Sequence, residues 1–213
     1  MKKMNIIYED KEILVVDKEA GQLTIATTKE KINTLYHEAS TYVKKQYPKN
    51  KIFIVHRLDK DTSGLVVFAK NEQKKKNLQA KWDKVKREYY CIVEGKMPKQ
   101  HDILKDYLIE DKNLNVYITK DKKRGKLAIT EYQVIKTNNN YSLLKINIKT
   151  GRKNQIRLQL SNLNHPIIGD KKYNSTKNPL RRLALHANLI EYEDNNKLYH
   201  FETKIPETFK KII

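Results

Sequence analysis

Ile54-Val55-His56-Arg57-Leu58-Asp59-Lys60-Asp61-Thr62-Ser63-Gly64-Leu65-Val66-Val67-Phe68-Ala69-Lys70 places an apolar segment on each side of a short polar knot. The pattern predicts strand, exposed loop, strand. The knot collects an imidazole, a guanidinium and two carboxylates, then turns on Ser63-Gly64. A loop pinned between buried strands can present a reactive side chain in a fixed position, and an ordinary solvated connection has the same outline.

Outward from the knot, upstream, Ile6 to Tyr8 and Ile13 to Val16 read as two short strands, and Gly21 breaks the chain before Leu23-Thr24-Ile25. A helix is expected from Asn33, with Tyr36, Ala39, Val43 and Tyr47 on one face and Pro48 as its end. Downstream, Asn71 to Asp83 reads as a helix capped by Asn71, with Leu78 and Trp82 inward. Glu88 to Val93 is a strand closed by Gly95, and Lys96 to Arg124 is expected to be the least ordered region. Leu127 to Ile135 and Tyr141 to Ile148 predict an antiparallel ladder across Asn138-Asn139-Asn140. Arg152 to Leu163 has helical spacing, with Ile156, Leu160 and Leu163 on one face and Arg157 at its edge. Leu183 to Tyr192 and Lys197 to Phe201 predict a closing hairpin. With no repeat and no low-complexity linker, the expectation is a single α+β domain over residues 1–213.

The chain of 213 residues carries 44 Lys and Arg against 25 Asp and Glu, a formal charge of +19. Such an excess repels itself and is most simply explained by a polyanionic partner. No long basic amphipathic helix with a bulky apolar face is visible, so nucleic acid is favoured over an anionic membrane. The single cysteine, Cys91, excludes an intrachain disulfide and fits a reducing compartment. No apolar run reaches membrane-spanning length, and the expected location is the cytoplasm.

The six histidines are scattered, none at metal-ligand spacing with Cys91, and no metal or other cofactor is expected. His37-Glu38 lacks the second histidine of a zinc-protease helix. Six glycines leave little room for a phosphate cradle, and Gly-x-Ser-x-Gly is absent. Carboxylate chemistry with arginine partners remains. Asp59 is either a carboxylate kept ionised by a guanidinium, available as nucleophile or base, or a structural cap of its loop.

His56-Arg57-Leu58-Asp59-Lys60-Asp61-Thr62-Ser63-Gly64-Leu65 resembles the catalytic signature of the pseudouridine synthases of the RluA type. Arg87 to Gly95 is similar to that family's second motif. Thr150-Gly151-Arg152-Lys153-Asn154-Gln155-Ile156-Arg157, continuing through His165 to Tyr173, resembles the third. Arg182 to Ala187 is similar to the closing strand, and Ile7 to Lys18 to the opening segment. These stretches follow in order along nearly the whole chain.

The resemblance implies a mixed, mainly antiparallel β-sheet core flanked by helices, with an active cleft across the sheet. It implies isomerisation of selected uridines in ribosomal or transfer RNA by base flipping, or, alternatively, a catalytically silent RNA-binding or ribosome-associated protein of that fold. Asp59 is implied as the catalytic carboxylate. Tyr89 would stack on the flipped base and take the C5 proton, and Arg157 would pair with Asp59. Arg57, Ile156, His56 and Arg152 complete the expected substrate-binding set. An RNA stem-loop partner, a monomer, and no N-terminal S4-type RNA-binding domain are also expected. Lys74-Lys75-Lys76, Lys120 to Arg124 and Lys171-Lys172 would grip the RNA. Asn154 and Gln159 stand where the family commonly has histidines, which puts any charged role there in doubt.

Overall fold

The computed structural model describes residues 4–28 and 30–213. In chain order these form β1 (Asn5–Glu9), β2 (Ile13–Lys18), α1 (Leu35–Gln46), β3 (Phe53–Ile54), β4 (Ser63–Ala69), α2 (Glu72–Ala80), β5 (Lys86–Glu94), β6 (His101–Glu110) and β7 (Val116–Thr119). Then come β8 (Lys126–Thr137), β9 (Tyr141–Ile148), α3 (Gln155–Asn162), β10 (Leu185–Asp194), β11 (Lys197–Glu202) and α4 (Glu207–Lys210). The chain divides into two compact units, Met1–Val85 with Ala187–Thr203 and Lys86–His186 with Lys204–Ile213.

In the first unit the strand order is β1-β2-β4-β10, with β11 on β10 and β3 on the end of β4. The pairs β1–β2, β2–β4, β3–β4 and β10–β11 are antiparallel. Every residue of β4 is buried. A strand covered on both faces reads as a continuous apolar run, which is the form Leu65 to Ala69 takes in the sequence. Gly64 has φ +116°, and a Cβ there would lie 2.2 Å from the Ala187 carbonyl oxygen, so only glycine fits this approach to β10. Thr34 caps α1 by accepting the His37 N–H, and Leu35, Ala39 and Val43 are buried. Tyr47 does not continue the expected helical face. It lies before Pro48, a position that disfavours helical backbone, and is extended and exposed. Asn71 caps α2 as expected, but the helix stops at Ala80 rather than Asp83. A short 3-10 turn, Trp82–Lys84, follows and carries the Trp82 ring onto His56, with centroids 4.3 Å apart.

The strands of the second unit are ordered β5-β9-β8-β6-β7, each pair antiparallel. Its core gathers Ile92, Leu144, Ile146, Ile156, Leu160 and Phe209. The region expected to be least ordered instead contributes β6 and β7. Only Leu104 and Leu108 of β6 are buried, with charged Lys105 and Asp106 between them, so the strand shows no apolar alternation. β8 and β9 form the expected ladder, longer than its alternation suggests and with a bulge between Val134 and Lys136. α3 begins three residues after Arg152, because Asn154 is left-handed at φ 55°. The Gln155 side chain, which accepts from Thr150 Oγ1 and the Arg152 N–H, shapes the preceding residues as a loop. Among the described residues no helix is long and apolar enough to cross a membrane.

Candidate active site

Asp59 sits half-buried on the loop between β3 and β4, and the residues on both sides of it are anchored. The Thr24 hydroxyl donates to the Leu58 carbonyl at 2.8 Å and accepts the Leu58 N–H at 3.2 Å. The Lys60 carbonyl accepts the Gly21 N–H at 2.9 Å and Lys18 Nζ at 3.0 Å. Lys18 is 1% exposed and also donates to the Glu19 and Gln22 carbonyls. A buried ammonium holds three carbonyls that no strand partner serves, and so ties the 19–22 turn to the loop. The Asp59 carbonyl accepts the Thr62 N–H at 3.2 Å, which closes the turn.

His56 braces the other end. β3 ends with Ile54 opposite Phe68, and His56 Nε2 accepts the next amide along β4, that of Val67, at 3.0 Å. Its ring stacks on Trp82. Arg57, between these anchors, is exposed. The loop is thus anchored at residues 56, 58 and 60, through the His56 side chain and the Leu58 and Lys60 backbone, with Arg57 and Asp59 alternating between the anchored positions.

In the second unit, Tyr89 lies on β5 opposite Ile146 of β9 and is half-buried. Ile156 is a core residue at the start of α3, and Arg152 is exposed, its Nε donating to the Leu127 carbonyl at 3.0 Å. Arg157 is buried and its guanidinium is tightly held. Nε and Nη2 donate to the two oxygens of Asp170 at 2.7 and 2.8 Å, a bidentate pair. Nη1 donates to Asn154 Oδ1 at 3.1 Å, and the cation lies 5.2 Å from the Tyr173 ring centroid. Asp170, 1% exposed, also accepts the Lys172 and Tyr173 amides. Asp170 falls within the third motif, yet the sequence alone assigns it no role; its one signal is a lone carboxylate in an apolar turn, directly after Gly169. Asn154 acts here as an uncharged acceptor for Arg157. Gln159, also buried, donates to Asp106 at 2.6 Å.

The three basic clusters differ. Lys120 to Arg124 is exposed on the turn between β7 and β8, and Lys171 and Lys172 are exposed. Lys74 is buried at 3%, its ammonium 2.5 Å from Asp194 and 2.8 Å from Glu12. Burial works against its charge, but the bonds to Asp194 and Glu12 outweigh it and raise its pKa. Lys74 therefore leaves the group of RNA-gripping lysines and joins the fold. Lys74→Met should cost about 3 kcal/mol in urea unfolding, because it takes the buried ammonium from Asp194 and leaves that carboxylate the exposed Lys81 at 3.6 Å; an unchanged midpoint would show the pair to be idle.

His186, 4% exposed, lies within the segment Arg182 to Ala187. Burial, with Arg182 adding to it, pushes its imidazole down to about 4 from the ordinary 6.5. Between those values the unfolded chain binds the proton and the folded one does not, so stability is whole above the ordinary value and falls as pH drops. The expected loss by pH 4 is on the order of 3 kcal/mol, read as a lower urea midpoint. His186→Gln should flatten that slope, and an equally steep slope in the variant would assign it to other groups.

These units together belong to a known architecture. The solved structure described as human RNA pseudouridylate synthase domain containing 4 superposes with a TM-score of 0.81 at 20% identity, covering 97% of this chain and 90% of that one. The class is thus the pseudouridine synthase fold. Residues 12–162 match the family described as RNA pseudouridylate synthase, and the chain belongs to that family. It is 34% identical over 214 residues to ribosomal large subunit pseudouridine synthase D of Borreliella burgdorferi, covering 96% of this chain and 66% of the relative, just under two thirds of its length. It is 31% identical to tRNA pseudouridine synthase C of Haemophilus ducreyi, with 89% and 85% covered.

Proposed function

We propose that the chain is an RNA pseudouridine synthase acting in the cytoplasm, as a monomer, on uridines of ribosomal or transfer RNA. The observation that carries this reading is Asp59 on a loop anchored at both neighbouring residues, within the span of residues 12–162 that matches the family. The reaction breaks the bond from uracil N1 to the ribose C1′ and joins C5 to that carbon. The C5 proton leaves and N1 gains one, so there is no net oxidation or reduction. Asp59 supplies the carboxylate for glycosidic cleavage, and Arg157 keeps it aligned. Tyr89 stacks on the extruded base and removes the C5 proton. Arg57 enters the RNA to support the flipped nucleotide, with His56 and Arg152 beside it, and Ile156 gives the base an apolar wall. Extrusion costs about a few kcal/mol of stacking, which the basic surface offsets through phosphate contacts.

Pseudouridine mapping of total RNA from cells with and without the gene tests the proposal. One or more pseudouridines should vanish with the gene and return with the wild-type chain. An unchanged map would leave RNA binding without isomerisation as the activity of this fold.

A further inference from the structure

The end of α1 and the segment leading into β3 border a half-open cavity of about 630 Å³ in the first unit. Tyr36 and Phe53 supply aromatic rings to its wall, Ser40 a hydroxyl, and Lys44, Lys49 and Lys51 cationic side chains. No Asp or Glu lines it. Among the described residues none of these lysines has a carboxylate partner. The wall is held in shape by Asn50, whose side chain donates to the Val43 carbonyl at 3.1 Å, while its N–H donates to Tyr47. The first of these bonds also offsets part of the negative end of α1, which would otherwise repel an anion.

This cavity is separate from the Asp59 loop. Phe53 pairs with Ala69, the last residue of β4, whereas Asp59 leads into Ser63, the first. Seven residues of strand at about 3.3 Å each put the two ends on the order of 20 Å apart. Rings that accept a stacked base, interleaved with cations and free of acids, form the chemistry that recognises single-stranded nucleic acid. The volume accommodates a nucleotide.

We propose that this cavity holds a single-stranded nucleotide of the substrate RNA on the strand flanking the target uridine. Its base stacks on Tyr36 or Phe53 and its phosphates meet Lys44, Lys49 and Lys51. The proposal rests on the RNA-directed reading above. Its consequence is that the enzyme grips its RNA at a second point along β4, distant from the reacting base.

The test compares the full chain with a Lys49→Glu/Lys51→Glu variant and with a control, Lys11→Glu/Lys31→Glu, at exposed lysines of the same unit. With labelled oligouridylate the cavity variant should bind about tenfold more weakly than the control. Its slope of log affinity against log salt should be shallower by about 1.4, two phosphates at about 0.7 each. Oligouridylate carrying 4-thiouridine should crosslink to the peptide containing Tyr36 or to that containing Phe53. Affinity and slope equal to the control's overturn the proposal, as do crosslinks confined to other peptides. An acidic protein segment as the true occupant would give that same unchanged RNA binding. If the variants differ in binding as expected while the wild-type chain makes no pseudouridine in the RNA of its cells, the isomerase reading is retired and the nucleotide site stands.

Discussion

Asp59→Asn is expected to reduce pseudouridine formation at least about a thousandfold while RNA affinity stays within about twofold of wild type. The substitution preserves size and shape and removes the negative charge, and with it the capacity to attack or to take a proton. The loop should keep its form, since its anchors are Thr24 on Leu58, Gly21 and Lys18 on Lys60, and the Thr62 amide on the Asp59 backbone carbonyl. None of these anchoring bonds involves the Asp59 carboxylate. Turnover under single-turnover conditions, read beside a filter-binding curve, separates the two effects. Activity near wild type would remove Asp59 from the chemistry.

The second large effect concerns Arg157 and its partner. Arg157→Met should lower activity at least about a hundredfold and also destabilise the fold by about 3–5 kcal/mol, because buried Asp170 loses its cation. That double penalty makes the arginine variant alone a poor test of mechanism. Asp170→Asn is the sharper one. It keeps an acceptor for the guanidinium and the amides of Lys172 and Tyr173, yet loosens the bidentate pair that fixes where Arg157 points. A displacement of about 1 Å can cost on the order of a hundredfold, so kcat should fall roughly tenfold to a hundredfold with KM little changed. A variant whose kcat is unaltered at temperatures where it is fully folded would confine Asp170 to stability.

Much of this molecule was legible in its residues. The knot between apolar runs announced the loop of Asp59, the cap at Asn71 is real, and the strands on either side of Asn138 to Asn140 pair as their alternation says. What could not be read shares one cause, the dependence of local identity on distant partners. β6 buries only Leu104 and Leu108, so its pattern carries no period-two signal until β7 and β8 lie beside it. Lys74 belongs to a run of three lysines that looks like a solvated helix face. Glu12, 62 residues earlier, and Asp194, 120 residues later, make it an interior ion. Asp170 likewise acquires its meaning from a guanidinium thirteen residues back on α3. Asn154 and Gln159 looked like lost histidines, and each makes a directed hydrogen bond that needs no charge.

The ammonium of Lys18 carries a lesson for protein engineering. The Lys60 carbonyl it holds lies 42 residues further along the chain, so the shape of the Asp59 loop is written partly in β2. A graft of residues 56–64 onto a foreign scaffold would carry the carboxylate of Asp59 and leave its template behind. Such a transplant would need Lys18, Gly21 and Thr24 to travel with it, and directed evolution of loop specificity should find its permissive changes in that distant turn as well as in the loop itself.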